Sequence, residues 1–264
     1  MDINGILIAA AIVAGLGLVI GILLGVVAKA FEVPEDPNEA AVRECLPGNN
    51  CGGCGYAGCD ALAAAIAKGE AKASACPVGG AEAAKAIAEI MGTEVDVVRY
   101  TAFVRCQGTN DKAGHKYQYV GNKSCIEAAA LSGGGSKLCA YGCLGYGSCV
   151  DVCDFGALSI VNGVAYVNKE QCKACGMCVK TCPRKIIEII PYDSSFKVRC
   201  VSQDKGKVVR ACCEAGCIGC GLCAKNCEAG AITVENNIAH IDQSKCTGCG
   251  KCAEKCPAKC IVAG

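Results

Sequence analysis

The chain has 264 residues, 27 of them cysteine, with no tryptophan, four phenylalanines and a formal net charge of +1. That length suits two or three small domains rather than one large core. The near-neutral charge argues against a nucleic-acid binder, which carries a strongly basic balance, and so many sulfurs beside so few aromatics point to metal centres or disulfides.

The first element is an apolar helix. From Gly5 to Ala28 the sequence GILIAAAIVAGLGLVIGILLGVVA carries no charge and is long enough to span a bilayer. A cleaved signal peptide is the rival, because Ala28-Lys29-Ala30 resembles a cleavage site. The segment lacks a basic leader and its apolar run is too long, which favours a retained anchor. Gly17, Gly21 and Gly25 fall on one face that would admit a second membrane helix closely. No Lys or Arg precedes the helix, whereas Lys29 and Arg43 follow it. That bias places the body in the cytoplasm, where a reducing environment keeps thiols free for metal.

A linker with Pro and acidic residues, FEVPEDPNEA, leads to the first cysteine group, Cys51-x2-Cys54-x4-Cys59-x16-Cys76. The Ala-rich run after Cys59 predicts a helix ending near Gly69, and AEAAKAIAEIM predicts another closed by Gly92. A helix and turn of that length can bring Cys76 back beside the other three sulfurs.

From Val104 the chain repeats itself. A shift of 74 residues lays Cys139, Cys143, Cys149 and Cys153 on Cys213, Cys217, Cys223 and Cys227. It also carries Cys172, Cys175, Cys178 and Cys182 onto Cys246, Cys249, Cys252 and Cys256. Between the cysteine runs each copy predicts a β-hairpin, turning at Asn162-Gly163 and Asn236-Asn237. A VRC element at Val104 and another at Val198 precede the copies. Two tandem modules therefore fill the C-terminal half.

CIGCGLCAKNC and CTGCGKCAEKCP have the bacterial ferredoxin spacing, in which three cysteines cap one cluster and the fourth reaches its neighbour. That assigns Cys217, Cys220, Cys223 and Cys256 to one [4Fe-4S] cluster, and Cys246, Cys249, Cys252 and Cys227 to another. Zinc is the alternative, but it usually takes two separated C-x2-C pairs. In the first copy Tyr146 stands where Cys220 stands in the second. Cys139 is the substitute predicted here, giving Cys139, Cys143, Cys149 and Cys182, with a lost cluster as the alternative. Its neighbour takes Cys172, Cys175, Cys178 and Cys153. Cys45, Cys106, Cys125, Cys200, Cys212, Cys213 and Cys260 remain, read as buried small residues or, for the two VRC cysteines, a further site. The isolated His115 and His240 read as ordinary residues. SGGGSK fails the phosphate-loop pattern, and neither a dinucleotide motif nor a nucleophile–base pair stands out, so no catalytic residue is assigned.

One apolar helix, then CGGCGYAGC…CP, then ferredoxin motifs, resembles the B subunit of the Rnf complex, the membrane-bound ion-translocating ferredoxin:NAD oxidoreductase. The resemblance covers essentially the whole chain, and CGGCGYAGC is its specific part. It implies a [4Fe-4S] cluster on Cys51, Cys54, Cys59 and Cys76, bringing the expected total to five. It also implies soluble ferredoxin as electron donor, and partner membrane, flavin and NAD-binding subunits in a hetero-oligomeric complex that moves Na+ or H+. The runners-up are a relay subunit of another membrane reductase or hydrogenase complex, and a redox sensor or cluster-delivery scaffold. The expected architecture is α+β: an anchor over 1–30, a linker over 31–44, a four-cysteine domain over 45–92, and ferredoxin-like modules over 104–190 and 198–264.

Overall fold

The computed structural model describes residues 3–30, 36–95 and 98–263. Linker residues 31–35, with the acidic Glu32 and Glu35, lie outside the described residues. Helix α1 runs from Ile3 to Ala30, about 42 Å at 1.5 Å per residue. Its side chains are described from Ile12 to Val27, and all of these are exposed. Counting only described residues, no helix is long and apolar enough to cross a membrane.

The four-cysteine domain is helical. Part of the expected linker belongs to it: α2 (Pro37–Cys45) starts at Asp36, whose carboxylate accepts from Asn38 N–H, with proline at the first helical position, where its missing N–H costs nothing. Helices α3 (Cys59–Ala67) and α4 (Gly80–Met91) follow the two Ala-rich runs. Gly92 closes α4 in the left-handed conformation, φ 63°. All three helices meet around Val42, Leu62, Ile66 and Ile87, each at most 1 % exposed.

Module 1 contains strand β1 (Tyr100–Val104), helix α5 (Cys125–Ala130), helix α6 (Ser148–Asp151), the hairpin β2 (Leu158–Val161) and β3 (Val164–Val167), helix α7 (Met177–Thr181) and strand β4 (Ile187–Pro191). Module 2 contains β5 (Phe196–Val198), α8 (Gly206–Cys212), α9 (Leu222–Lys225), the hairpin β6 (Ile232–Glu235) and β7 (Ile238–Ile241), α10 (Lys251–Glu254) and β8 (Ile261–Ala263). The hairpins turn where the sequence places them, with Asn162 and Gly163 at φ 46° and 75°, and Asn236 and Asn237 at 49° and 63°. In each module a second antiparallel pair, β1 with β4 and β5 with β8, joins its first strand to its last. Cores of Val, Ile, Ala and cysteine fill the two modules.

Candidate metal centres

The cysteine motifs are shaped by glycine. Gly147, Gly176, Gly221 and Gly250 each sit two residues before the third cysteine of a motif, at φ 92°, 79°, 72° and 78°. That left-handed step is one L side chains rarely take. It turns the loop into a short helix that carries the third cysteine, Cys149, Cys178, Cys223 or Cys252, in a buried position.

Four cavities gather the thiols. Cys51, Cys54, Cys59 and Cys76 line a space of about 290 Å³ in the helical domain. Asn50 Oδ1 accepts from Cys59 N–H at 2.7 Å and fixes the start of α3, while Cys76 Sγ accepts from Gly79 N–H at 3.3 Å. Cys153, Cys172, Cys175 and Cys178 line a second cavity of about 340 Å³; there Cys172 Sγ accepts from the amides of Ala102 and Ala174, at 3.3 and 3.4 Å. In module 2, Cys217, Cys220, Cys223 and Cys256 line a third, with Cys260 beside them. Cys260 keeps its proton between Cys217 and Cys256 and holds both of those thiols below the usual range. Cys246 and Cys249 lie in the loop before α10, Cys252 is in that helix, and Cys227 follows α9, which packs on α10.

The fourth cavity, about 350 Å³, places a cysteine from outside the expected set beside the irregular motif. It is lined by Cys143, Cys149, Cys182 and Cys125. Cys139 lies elsewhere, lining a separate space with Cys106, Cys200, Cys212 and Cys213. The reason is local. Ser124 caps α5, its Oγ accepting from Glu127 N–H at 3.3 Å, and Cys125 N–H donates to Ser148 Oγ at 2.8 Å, bringing α5 onto α6. Tyr146 stacks on Tyr119 with ring centroids 4.7 Å apart. The signal in the sequence was Ser124-x-x-Glu127, a capping box that starts a helix at Cys125.

These sites fit iron–sulfur clusters by their donor set and their surroundings. Burial pushes the thiols up, to about 12 for Cys149 and Cys178 and about 11 for Cys143 and Cys223, so a protein-bound cation must displace their protons. Among the described residues no three His, Cys, Asp or Glu side chains converge on the position of a single metal ion. The Nε atoms of Arg184, at the fourth cavity, and Arg199, at the space holding Cys139, are buried without a hydrogen-bond partner.

Three family models match the chain: "Putative Fe-S cluster" over 46–78, "4Fe-4S binding domain" over 165–188 and "4Fe-4S dicluster domain" over 216–260. The chain is 50 % identical over 245 residues to the B subunit of the Na(+)-translocating ferredoxin:NAD(+) oxidoreductase complex of Acetobacterium woodii, covering 92 % of this chain and 73 % of that one. It belongs to the family of Rnf B subunits. The B subunit of an ion-translocating oxidoreductase complex of Methanosarcina acetivorans is 45 % identical, with 89 % of each chain covered. Its counterpart in the proton-translocating ferredoxin:NAD(+) oxidoreductase complex of Clostridium ljungdahlii is 40 % identical, covering 91 % of this chain and 86 % of that one.

Proposed function

We propose that the chain is the electron-transfer subunit of a membrane-bound ferredoxin:NAD oxidoreductase complex that moves Na+ or H+, taking electrons from reduced ferredoxin and delivering them to partner subunits. The observation that carries this reading is the contact between the four-cysteine domain and module 1. A Cβ placed on Gly53 would stand 2.8 Å from the Cys175 carbonyl oxygen, so the Cys51 to Cys59 loop lies directly against a ligand loop of the next site.

The proposed ligand sets are Cys51, Cys54, Cys59 and Cys76; Cys153, Cys172, Cys175 and Cys178; Cys125, Cys143, Cys149 and Cys182; Cys217, Cys220, Cys223 and Cys256; and Cys227, Cys246, Cys249 and Cys252. When bound, each [4Fe-4S] cluster takes up and returns a single electron. The protein's share is placement and tuning. Amide donors to sulfur, such as those on Cys76 and Cys172, adjust the potential through hydrogen bonding, and apolar walls limit water.

The exposed apolar side chains of α1 support a single-pass anchor: Leu16, Leu18, Leu23 and Leu24 are each at least 60 % exposed, a surface that lipid would cover. The basic residues after the helix orient the body to the cytoplasm. In this arrangement the helical domain lies nearest the membrane partners, and the two modules form the arm that ferredoxin reaches.

Cys54→Ser tests the order. In membranes, reduced ferredoxin should still reduce the module clusters, while NAD reduction falls to background. Full NAD reduction by this variant would sink the proposed exit through the four-cysteine domain.

A further inference from the structure

We infer that the space between the two ferredoxin-like modules is a sixth [4Fe-4S] site, held by Cys106, Cys139, Cys200 and Cys213. The inference rests on the iron–sulfur reading above and adds a site that no single module contains. The space is lined from both copies. Cys139 and Cys213 are equivalent under the 74-residue shift, and Cys106 and Cys200 end the two VRC elements. Each copy thus contributes the same pair, and the seam between the modules completes the set.

Local geometry brings the sulfurs to one space. A Cβ on Gly142 would stand 3.4 Å from both Cys106 Sγ and Cys139 Sγ. One on Gly108 would stand 3.2 Å from Cys213 Sγ and 3.8 Å from Cys106 Sγ. Three of the sulfurs already accept backbone N–H groups: Cys106 from Cys143 at 3.3 Å, Cys139 from Gly142 at 3.3 Å and Cys200 from Ser202 at 3.5 Å. Amides aimed at sulfur are the donors that a thiolate needs in a dry site.

The charge around the cavity fits as well. Lys137 is 4 % exposed, its Nζ donating to the Gly108 and Gly163 carbonyls at 2.7 Å each. Arg199 donates to the Cys106 carbonyl at 3.0 Å, and its Nε is buried without a partner. Among the described residues no carboxylate lines this space, yet a buried cation without a counter-charge is costly. Four thiolates around an oxidised four-iron cluster leave a net charge of −2, which two cations offset. Loading a preformed cluster forms four iron–thiolate bonds and releases four thiol protons, with no net oxidation.

Cys212 also lines the cavity, but it is the unpaired fifth cysteine. Its counterpart in the first copy is Leu138, and its thiol donates to the Val209 carbonyl at 3.4 Å. The location gives the site its use. Cys143 of the module 1 cavity donates its amide to Cys106, and Cys200 and Cys217, which lines the module 2 cavity, belong to the same module 2 core. A cluster here accepts one electron from one module and passes one electron to the other.

The test is iron and sulfide counting with EPR on the full chain isolated anaerobically. The wild type should hold about 24 irons in six clusters, Cys139→Ser with Cys213→Ser should lose about four, and Cys212→Ser should lose none. Where the double variant loses more than one cluster, the single Cys139→Ser decides: a new three-iron EPR signal supports the site, and its absence overturns it. A double variant with the wild-type iron count, or a Cys212→Ser variant that loses a cluster, also overturns it. A wild-type count near 20 with no loss on Cys139→Ser removes this site alone and leaves the five-cluster relay standing.

Discussion

The backbone N–H of Cys125 donates to Ser148 Oγ across 2.8 Å, binding a helix start 23 residues away to the cysteine motif whose cavity it shares. Ser148 directly precedes Cys149, so one hydroxyl sets the spacing of two thiols in the same cavity. Cys125→Ser should therefore lose about four irons. Adding Tyr146→Cys, which rebuilds the regular ferredoxin spacing, should restore them. An unchanged iron count in Cys125→Ser would remove that residue from the ligand set.

Lys137 ties two loops of module 1 together beside the seam. Lys137→Met strands the Gly108 and Gly163 carbonyls in a buried place, and hydrogen bonds to a charged group contribute about 1.5–3 kcal/mol each. The variant should lose about 3 kcal/mol or more in anaerobic chemical denaturation, the same transition in the wild type serving as reference.

Gly219 packs against the hairpin turn. A Cβ there would stand 2.7 Å from the Asn237 carbonyl oxygen, and the residue sits at φ 64°. Gly219→Ala combines overpacking with backbone strain, at about 1–3 kcal/mol for each, so thermal unfolding should shift down by several degrees. Asn237→Gly relieves the left-handed φ of 63°, as Gly163 does at the same place in the first copy, but loses the Nδ2–H bond to the Gln203 carbonyl at 2.9 Å, so its cost should stay within about 0.5–1.5 kcal/mol.

Helix α1 is open to a direct partition test. Leu16→Lys with Ile20→Lys should move much of the protein from membranes to the soluble fraction, since each lysine at a helix centre costs about 2.5–3.5 kcal/mol on insertion scales. Iron content per chain should stay at the wild-type level. Full membrane retention would argue against an anchoring role for this helix.

Much of this architecture is legible from local spacing. The hairpins were announced by Asn-Gly and Asn-Asn, and the helices by Ala-rich runs closed by Gly69 and Gly92. The regular motifs were recognisable because each keeps its ligands within one short loop. Cys125 was harder: its partners are 18 to 57 residues downstream, and only folding shows that α5 returns to α6. The strand pairs β1–β4 and β5–β8 were missed for the same reason, since each closes a module between its ends. The five cysteines of the seam read as spare hydrophobes, a substitute ligand or, for the two VRC cysteines, a further site, because no single copy holds a complete set.

Tyr146 has a consequence beyond ligation. Its counterpart Cys220 is exposed, as is Cys249, whereas Cys125 is 8 % exposed at the start of α5. The duplicated halves have thus acquired a weathered side and a sheltered side. When the protein meets air, module 2 should release iron first, and the Cys125 site should be among the last to bleach.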